Sequence, residues 1–448
     1  MSIAEDKKET MARHPFIARF IEHGNARSTD GIPQWWSEFR TQALRRLVSL
    51  DVPTRKDEEW KFINLAGLTG GEYVSETDVS LNLDDDTVEE RRLPESSAAT
   101  LVFANGRYEP GLSNVDELAD GVRVTTWSEL REAGETAILR DHIDIAEFWE
   151  EDLFYNLNGA NFEDGAVIMV PRNQVLETPI HILYVAGGSQ DADHAMATHP
   201  RNVIVTGESA EVTVIEEYAS FDGGCYFHNV VDEISLGANS KVRHVKVQRD
   251  SKEAYHVARN IVTLSQDSNY DSTTVNLGAA LSRSDAYARF DGKNIECTLD
   301  GLGFISGRQV TDTHTAMDHA LPDSTSYQLQ KNIVADRAHS VFNGKIFVRQ
   351  DAQRIDSNQL NQNLLLSPRA HVDTKPQLEI LADDVVCSHG ATVGQLQDDQ
   401  LFYLMTRGMD EEQARSLLTY AFAAEVLEDI EVDSLRNRLE SLLMERTR

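Results

Sequence analysis

The chain has 448 residues, 41% of them apolar, with 74 acidic against 42 basic side chains and a formal net charge of −32. No apolar run approaches the twenty residues of a membrane-spanning helix, and the acid excess argues against a nucleic-acid binder, which needs a basic footprint. Three cysteines exclude a disulfide framework, and Met1 to Lys8 lack the apolar core of a secretory signal, so the protein reads as cytoplasmic. The acidity is spread along the chain and Arg outnumbers Lys, a pattern that fits a surface adapted to high salt; an ordinary acidic cytosolic protein is the alternative.

Residues 1–95 read as a helical region followed by an acidic linker. Trp35, Trp36, Phe39, Ala43, Leu44 and Leu47 recur at helical spacing behind Pro33. Arg55-Lys56-Asp57-Glu58-Glu59-Trp60-Lys61-Phe62 reads by itself as a salt-bridged surface turn anchored by Trp60. Residues 71–95, with Asp84-Asp85-Asp86, suggest a surface loop. Residues 96–164 are a mixed α/β segment, with a strand at Thr100–Ala104 and helical spacing from Ala146 to Leu157.

From 165 to 396 short β runs follow one another without helical periodicity, among them Val167–Val170, His181–Val185, Val242–Val247 and Lys345–Val348. Small-residue corners separate them: Gly207–Ala210, Gly237–Ser240, Asp300–Gly303, Ala335–Ala338 and Ser367–Ala370. Their spacing, commonly on the order of 30 residues, suggests the coils of a β-solenoid, with a β-sandwich as the competing reading. Residues 397–448 return to helix. Asp399–Thr406 stops at Arg407-Gly408, Asp410 and Gln413 make a capping box, and Ala414, Leu417, Leu418, Ala421, Phe422 and Val426 keep helical spacing. A further helix spans about Asp433 to Glu445. Such a module either covers the end of the solenoid or docks a partner.

No phosphate-binding loop, dinucleotide fingerprint, nucleophile elbow, H-E-x-x-H or C-x-x-C is present. Cys225 and Cys297 read as buried free cysteines, and His314, His319, His339 and His371 each read singly as structural or surface residues. Cys387 differs. His389 lies two residues on, so both side chains face one way on a strand, roughly 6–7 Å apart, and a histidine or a metal can favour the thiolate. Two such donors make half of a soft metal site, not a closed one.

Lys331–Val334, Ser340–Ile346, Asn363–Ser367 and Lys375–Ile380 lead into Asp383-Asp384-Val385-Val386-Cys387-Ser388-His389-Gly390-Ala391-Thr392-Val393-Gly394. This sequence closely resembles the SufB/SufD family of iron–sulfur cluster assembly proteins, from about Pro200 to Ile430. Within the family it is similar to the SufD branch, because Glu58, Glu59, Trp60 and Lys61 match that branch's N-terminal motif and the cysteine-rich motif common in SufB is absent. Ile355-Asp356-Ser357-Asn358 departs from the Thr-Asp-Ala run frequent in relatives. The resemblance implies a mainly β protein, a right-handed parallel β-helix between helical N- and C-terminal domains. It implies a SufBCD complex in which a SufB-like subunit pairs with this chain and a SufC-like ATPase docks on Arg407, Gly408, Leu417, Leu418, Ala421 and Phe422. Cys387 and His389 would then help hold a transient, shared iron–sulfur cluster, with ATP hydrolysis left to the partner and this chain non-catalytic. Flavin binding and a homodimer in isolation stay open. The other readings are a structural adaptor without cluster ligation, a SufB-like paralogue and a β-helix carbohydrate-active enzyme, the last disfavoured by scattered acids and the missing export signal.

Overall fold

The structure, a computed structural model, describes residues 14–75, 81, 83–115, 118–143, 149–187 and 195–447. From Arg201 to Gly394 the chain runs as strands of six to eleven residues. Each pairs in parallel with the strand after next, never with its neighbour in sequence. Register partners such as Val310, His339 and His371 recur at about 30 residues, the length of one coil. The result is a β-solenoid of about seven turns whose coils alternate between an 11-stranded and a 10-stranded sheet.

Side-chain alternation places the core between the sheets. In Tyr226–Leu236, Val230, Ile234 and Leu236 join the inner cluster with Val214, Val242 and Val262, while Phe227 and Val231 face outward. The outer positions are also apolar because helices cover both sheets, and a strand covered on both sides carries no polar face. On the first sheet the helices Pro15–Ala26 and Leu153–Asn161 bring Phe16, Phe20 and Leu157 onto Phe227, Val257 and Leu281. The helix Gln34–Ser49 buries Trp36, Phe39, Ala43 and Leu47 as its spacing predicts. Buried arginines fix this layer. Arg201 donates to Asn158 and Tyr155 and pairs with Glu233, and Arg259 pairs with Asp152 and Asp285.

On the second sheet three helices, Asp398–Thr406, Glu411–Leu427 and Asp433–Arg446, follow the last strand. The capping box forms: Gln413 N–H donates to Asp410 Oδ1 at 2.8 Å and Asp410 N–H to Gln413 Oε1 at 3.2 Å. Val426, Leu427, Ile430, Leu435 and Leu439 pack on Ile215, Val247, Leu302, Phe304 and Ile333. The last two helices therefore lie along the flank of the solenoid.

Four local expectations are corrected. Asp300–Gly303 is no corner but the middle of the strand Glu296–Ile305; the corner follows at Ser306–Gln309, where Gly307 has φ +66°. The loop expected over 71–95 contains the strand Tyr73–Ser75, paired with Ala195–Ala197, and a helix at Asp85–Glu89 capped by Asp84. Cys225 is exposed, not buried, whereas Cys297 is buried and its thiol pKa is raised far above the ordinary value by that burial. The helix expected from Ala146 begins at Leu153, and 144–148 lie outside the described residues. Among the described residues no helix is long and apolar enough to cross a membrane.

Candidate functional site

The last coil consists of His371–Ile380 on the first sheet and Val385–Gly394 on the second, and each is the outermost strand of its sheet. Among the described residues no further strand pairs their outer edges, and Val386 is 70% exposed and Val393 50%. Cys387 lies opposite Ser357 and His389 opposite Gln359, so both continue the inward-facing columns of the coils beneath. Cys387 is half-buried, in contact with the cluster of Ile355 and Ala382, and His389 is exposed.

Beneath them the interior is neutral and polar. Ser326 and Ser357 share a hydroxyl–hydroxyl bond of 2.6 Å, and Gln359 Nε2 donates to Gln328 Oε1 at 2.9 Å. Asn332 donates to Asn363 Oδ1 at 2.9 Å and Asn363 to Asn361 Oδ1 at 2.7 Å. These amides largely pair with one another, with Gln359 Oε1 left without a partner among the described residues, and such neutral groups offer little competition to a thiolate for a metal.

Burial raises the Cys387 thiol pKa, the nearby Asp356 carboxylate raises it further, and a hydrogen bond from the Ser357 backbone only partly offsets them. The isolated chain thus holds a thiol at neutral pH, and His389 does not make it a thiolate. A metal would reverse this, since coordination displaces the proton. Among the described residues the pair belongs to no cluster of three ligating side chains. This chain by itself supplies two donors.

Glu58, Glu59 and Trp60 form a 3-10 turn laid across the first sheet. Glu59 Oε2 accepts from His314 Nδ1 and Asn343 Nδ2, both at 3.1 Å, and the carboxylate pairs with Lys345. The His314 hydrogen bond, opposed by partial burial and aided by Lys345, lowers the Glu59 carboxyl to about 2. Glu58 pairs with Lys375 of the last coil. Trp60 is buried with the Arg283 guanidinium 4.2 Å from its ring centroid, and Arg283 also donates to the Glu59 carbonyl at 2.6 Å. Lys61 is exposed, 5.6 Å from the Phe62 ring centroid. The motif straps the N-terminal layer to the last coils, at the margin of a cleft of about 580 Å³.

On the C-terminal helices Arg407 lies over the Tyr403 ring at 5.2 Å, and Gly408, with φ +98°, follows the helix end. Leu417 and Ala421 are exposed and Leu418 half-buried. Phe422 turns toward the solenoid, where Lys331 Nζ sits 4.8 Å from its ring centroid and donates to its carbonyl at 3.0 Å. Phe402, Tyr403 and Met405 are exposed beside them; sequence reasoning missed these three, although the polar-side positions of Asp399–Thr406 occupied by aromatic residues were the available signal.

Fold and site together define a class: a parallel β-solenoid whose unfinished terminal coil presents an inward Cys-x-His pair. The family model described as "SUF system FeS cluster assembly, SufBD core domain" matches residues 186–422, and that of the "SufBD protein N-terminal region" matches 16–182. An iron–sulfur cluster assembly SufBD family protein of Synechocystis is 38% identical over 416 residues, covering 91% of this chain and 90% of that protein. The iron–sulfur cluster assembly protein SufD of Escherichia coli is 32% identical over 426 residues, 93% and 96% of the two chains. The chloroplastic protein ABCI7 of Arabidopsis thaliana is 32% identical over 417 residues, 90% and 86%. The chain belongs to the SufBD family of iron–sulfur cluster assembly proteins and is SufD-like.

Proposed function

We propose that this chain is the non-catalytic SufD-like subunit of a SufBCD-type complex, pairing with a SufB-like subunit through the last coil so that a nascent iron–sulfur cluster is built between them. The observation that carries this reading is the half-site: an inward thiol and an exposed imidazole on a coil whose two edges lack a neighbour among the described residues. Edge strands of ten residues bind by strand addition, which gives register and therefore a reproducible distance between donors on two chains. The partner would supply the remaining cluster ligands and, on binding iron, convert Cys387 to the thiolate. The exposed Phe402, Tyr403, Met405 and Leu417, with Arg407, form the surface proposed to receive a SufC-like ATPase. Strain from ATP-driven closure of that partner would reach the last coil through the helices packed along the second sheet. The proposed compartment is the cytoplasm, in keeping with only three cysteines in 448 residues.

The test is Cys387→Ala together with His389→Ala in the complex co-expressed with SufB-like and SufC-like subunits. Assembly should persist, while iron and acid-labile sulfide per complex fall at least about tenfold after reconstitution. Undiminished cluster content would leave the second reading, a structural adaptor without ligation, which the raised thiol pKa of the isolated chain favours.

A further inference from the structure

His339 and His371 are register partners on adjacent coils of the first sheet, and Asp373 follows His371 on the same side of its strand. Their side chains face outward, away from the inward columns that hold Cys387 and His389 on the opposite sheet. His339 Nε2 lies 2.8 Å and His371 Nε2 3.3 Å from the same oxygen, Asp373 Oδ2. The two rings are 4.9 Å apart, and one ligating atom from each of the three residues lies within 4.8 Å of the other two. We propose that His339, His371 and Asp373 bind a divalent first-row transition ion of the Zn(II) or Fe(II) kind.

Two imidazoles and one carboxylate are the donor set such ions take, whereas Ca(II) and Mg(II) require oxygen ligands throughout. With metal–ligand bonds of about 2.0–2.2 Å, neighbouring donors stand about 3.0–3.4 Å apart. The 3.3 Å separation falls in that range, and the 2.8 Å hydrogen bond would lengthen by a few tenths of an ångström on binding. His371, with 66% of its side chain exposed, can complete the geometry by rotation without backbone movement. His339 and Asp373 are half-buried, at 21% and 24%, and next to the buried Val341, so the other two donors are held in place. Three protein ligands and an exposed flank leave coordination positions for water or an incoming donor, the arrangement of an exchangeable ion. The net charge of −32 raises the local concentration of cations at this surface.

The site is tested in the isolated full-length chain, so its outcome is independent of cluster assembly. Cys387→Ser and His389→Ala are carried in every sample to silence that pair. Metal-free protein is titrated with Zn(II) by calorimetry and with Co(II) by visible absorption under anaerobic conditions. One equivalent should bind. Both His371→Ala and the isosteric Asp373→Asn should weaken it at least about tenfold and abolish the Co(II) bands, with unchanged circular dichroism. Equal affinity in the parent and in Asp373→Asn, or no binding by the parent up to about 100 μM metal, where the site's free energy would fall short of about −5.5 kcal/mol, overturns the proposal.

Discussion

Glu59 shows how much a single side chain contributes to the first-sheet interface. Its carboxyl is about 2 in the folded chain against an ordinary 4.5, so its contribution is present above pH 4.5 and lost as pH falls toward 2. His314 works in the other direction. Burial and Arg283 lower its pKa, but Asp312 and Glu59 outweigh them and raise it above 6.5, so its contribution is present below 6.5 and lost as pH rises through the raised value. Both stability contributions are present in full between about 4.5 and 6.5. Glu59→Gln should therefore lower the melting temperature most at pH 5–6.5, with the gap to the parent narrowing at pH 4 and at pH 9. A gap that ignores pH would refute the electrostatic account. The sequence showed this motif as a salt-bridged turn anchored by Trp60, which is its local geometry. Its partners His314, Asn343 and Lys345 are more than 250 residues away, and no local pattern announces them. Cys387 and His389 were legible as a pair because strand alternation alone puts them on one face.

The C-terminal helices are held by apolar packing and by ion pairs such as Lys331–Glu425 and Arg438–Glu217, and one carboxylate contact opposes them. Asp300, on the second sheet, is pushed to about 7 by burial and then by the Asp429 carboxylate, and Asp429 is raised too, mainly by burial. A raised carboxyl means the folded chain holds an extra proton, so its stability contribution is lost as pH climbs from about 4 toward 7. Asp429→Asn should raise the melting temperature at pH 8 by roughly 1–3 °C and leave it unchanged at pH 4 or below, as read by differential scanning calorimetry. These helices were readable one by one, from their caps and spacing. Their placement was not, because it depends on Leu302 and Phe304 emerging from a strand whose glycines look like a corner. Gly301 and Gly303 point inward, and a Cβ there would stand 2.0 Å from Gln330 Oε1 and 2.7 Å from Asn332 Oδ1. They make room for amides of the next coil, a reason that lies about 30 residues away and inverts the usual meaning of glycine.

At the scale of the molecule the solenoid was legible because each coil repeats the same local solution, and a period survives where any one strand is ambiguous. What the period cannot show is where stacking stops and whether anything covers the stop. The net charge of −32 acts on the whole chain, and at low ionic strength its self-repulsion opposes compaction. Raising KCl from 0.1 M to 2 M should therefore increase the melting temperature, and a flat response would speak against the reading of a salt-adapted surface.

An inner coil is stacked on both sides, while among the described residues the coil ending at Gly394 has a neighbour on one side only. In a one-dimensional stack local stability is the sum of neighbour terms, so this coil opens first. Amide hydrogens of 371–394 should exchange faster than those of 296–348, and seating of a partner should slow them; equal rates in the free chain would contradict it. Cys387 and His389 then stand on the segment most easily loosened, and they reach a fixed spacing only once another chain is seated. A copy waiting alone would hold the Cys387–His389 pair as half a cluster site, and the timing of cluster capture there would follow from the order of assembly.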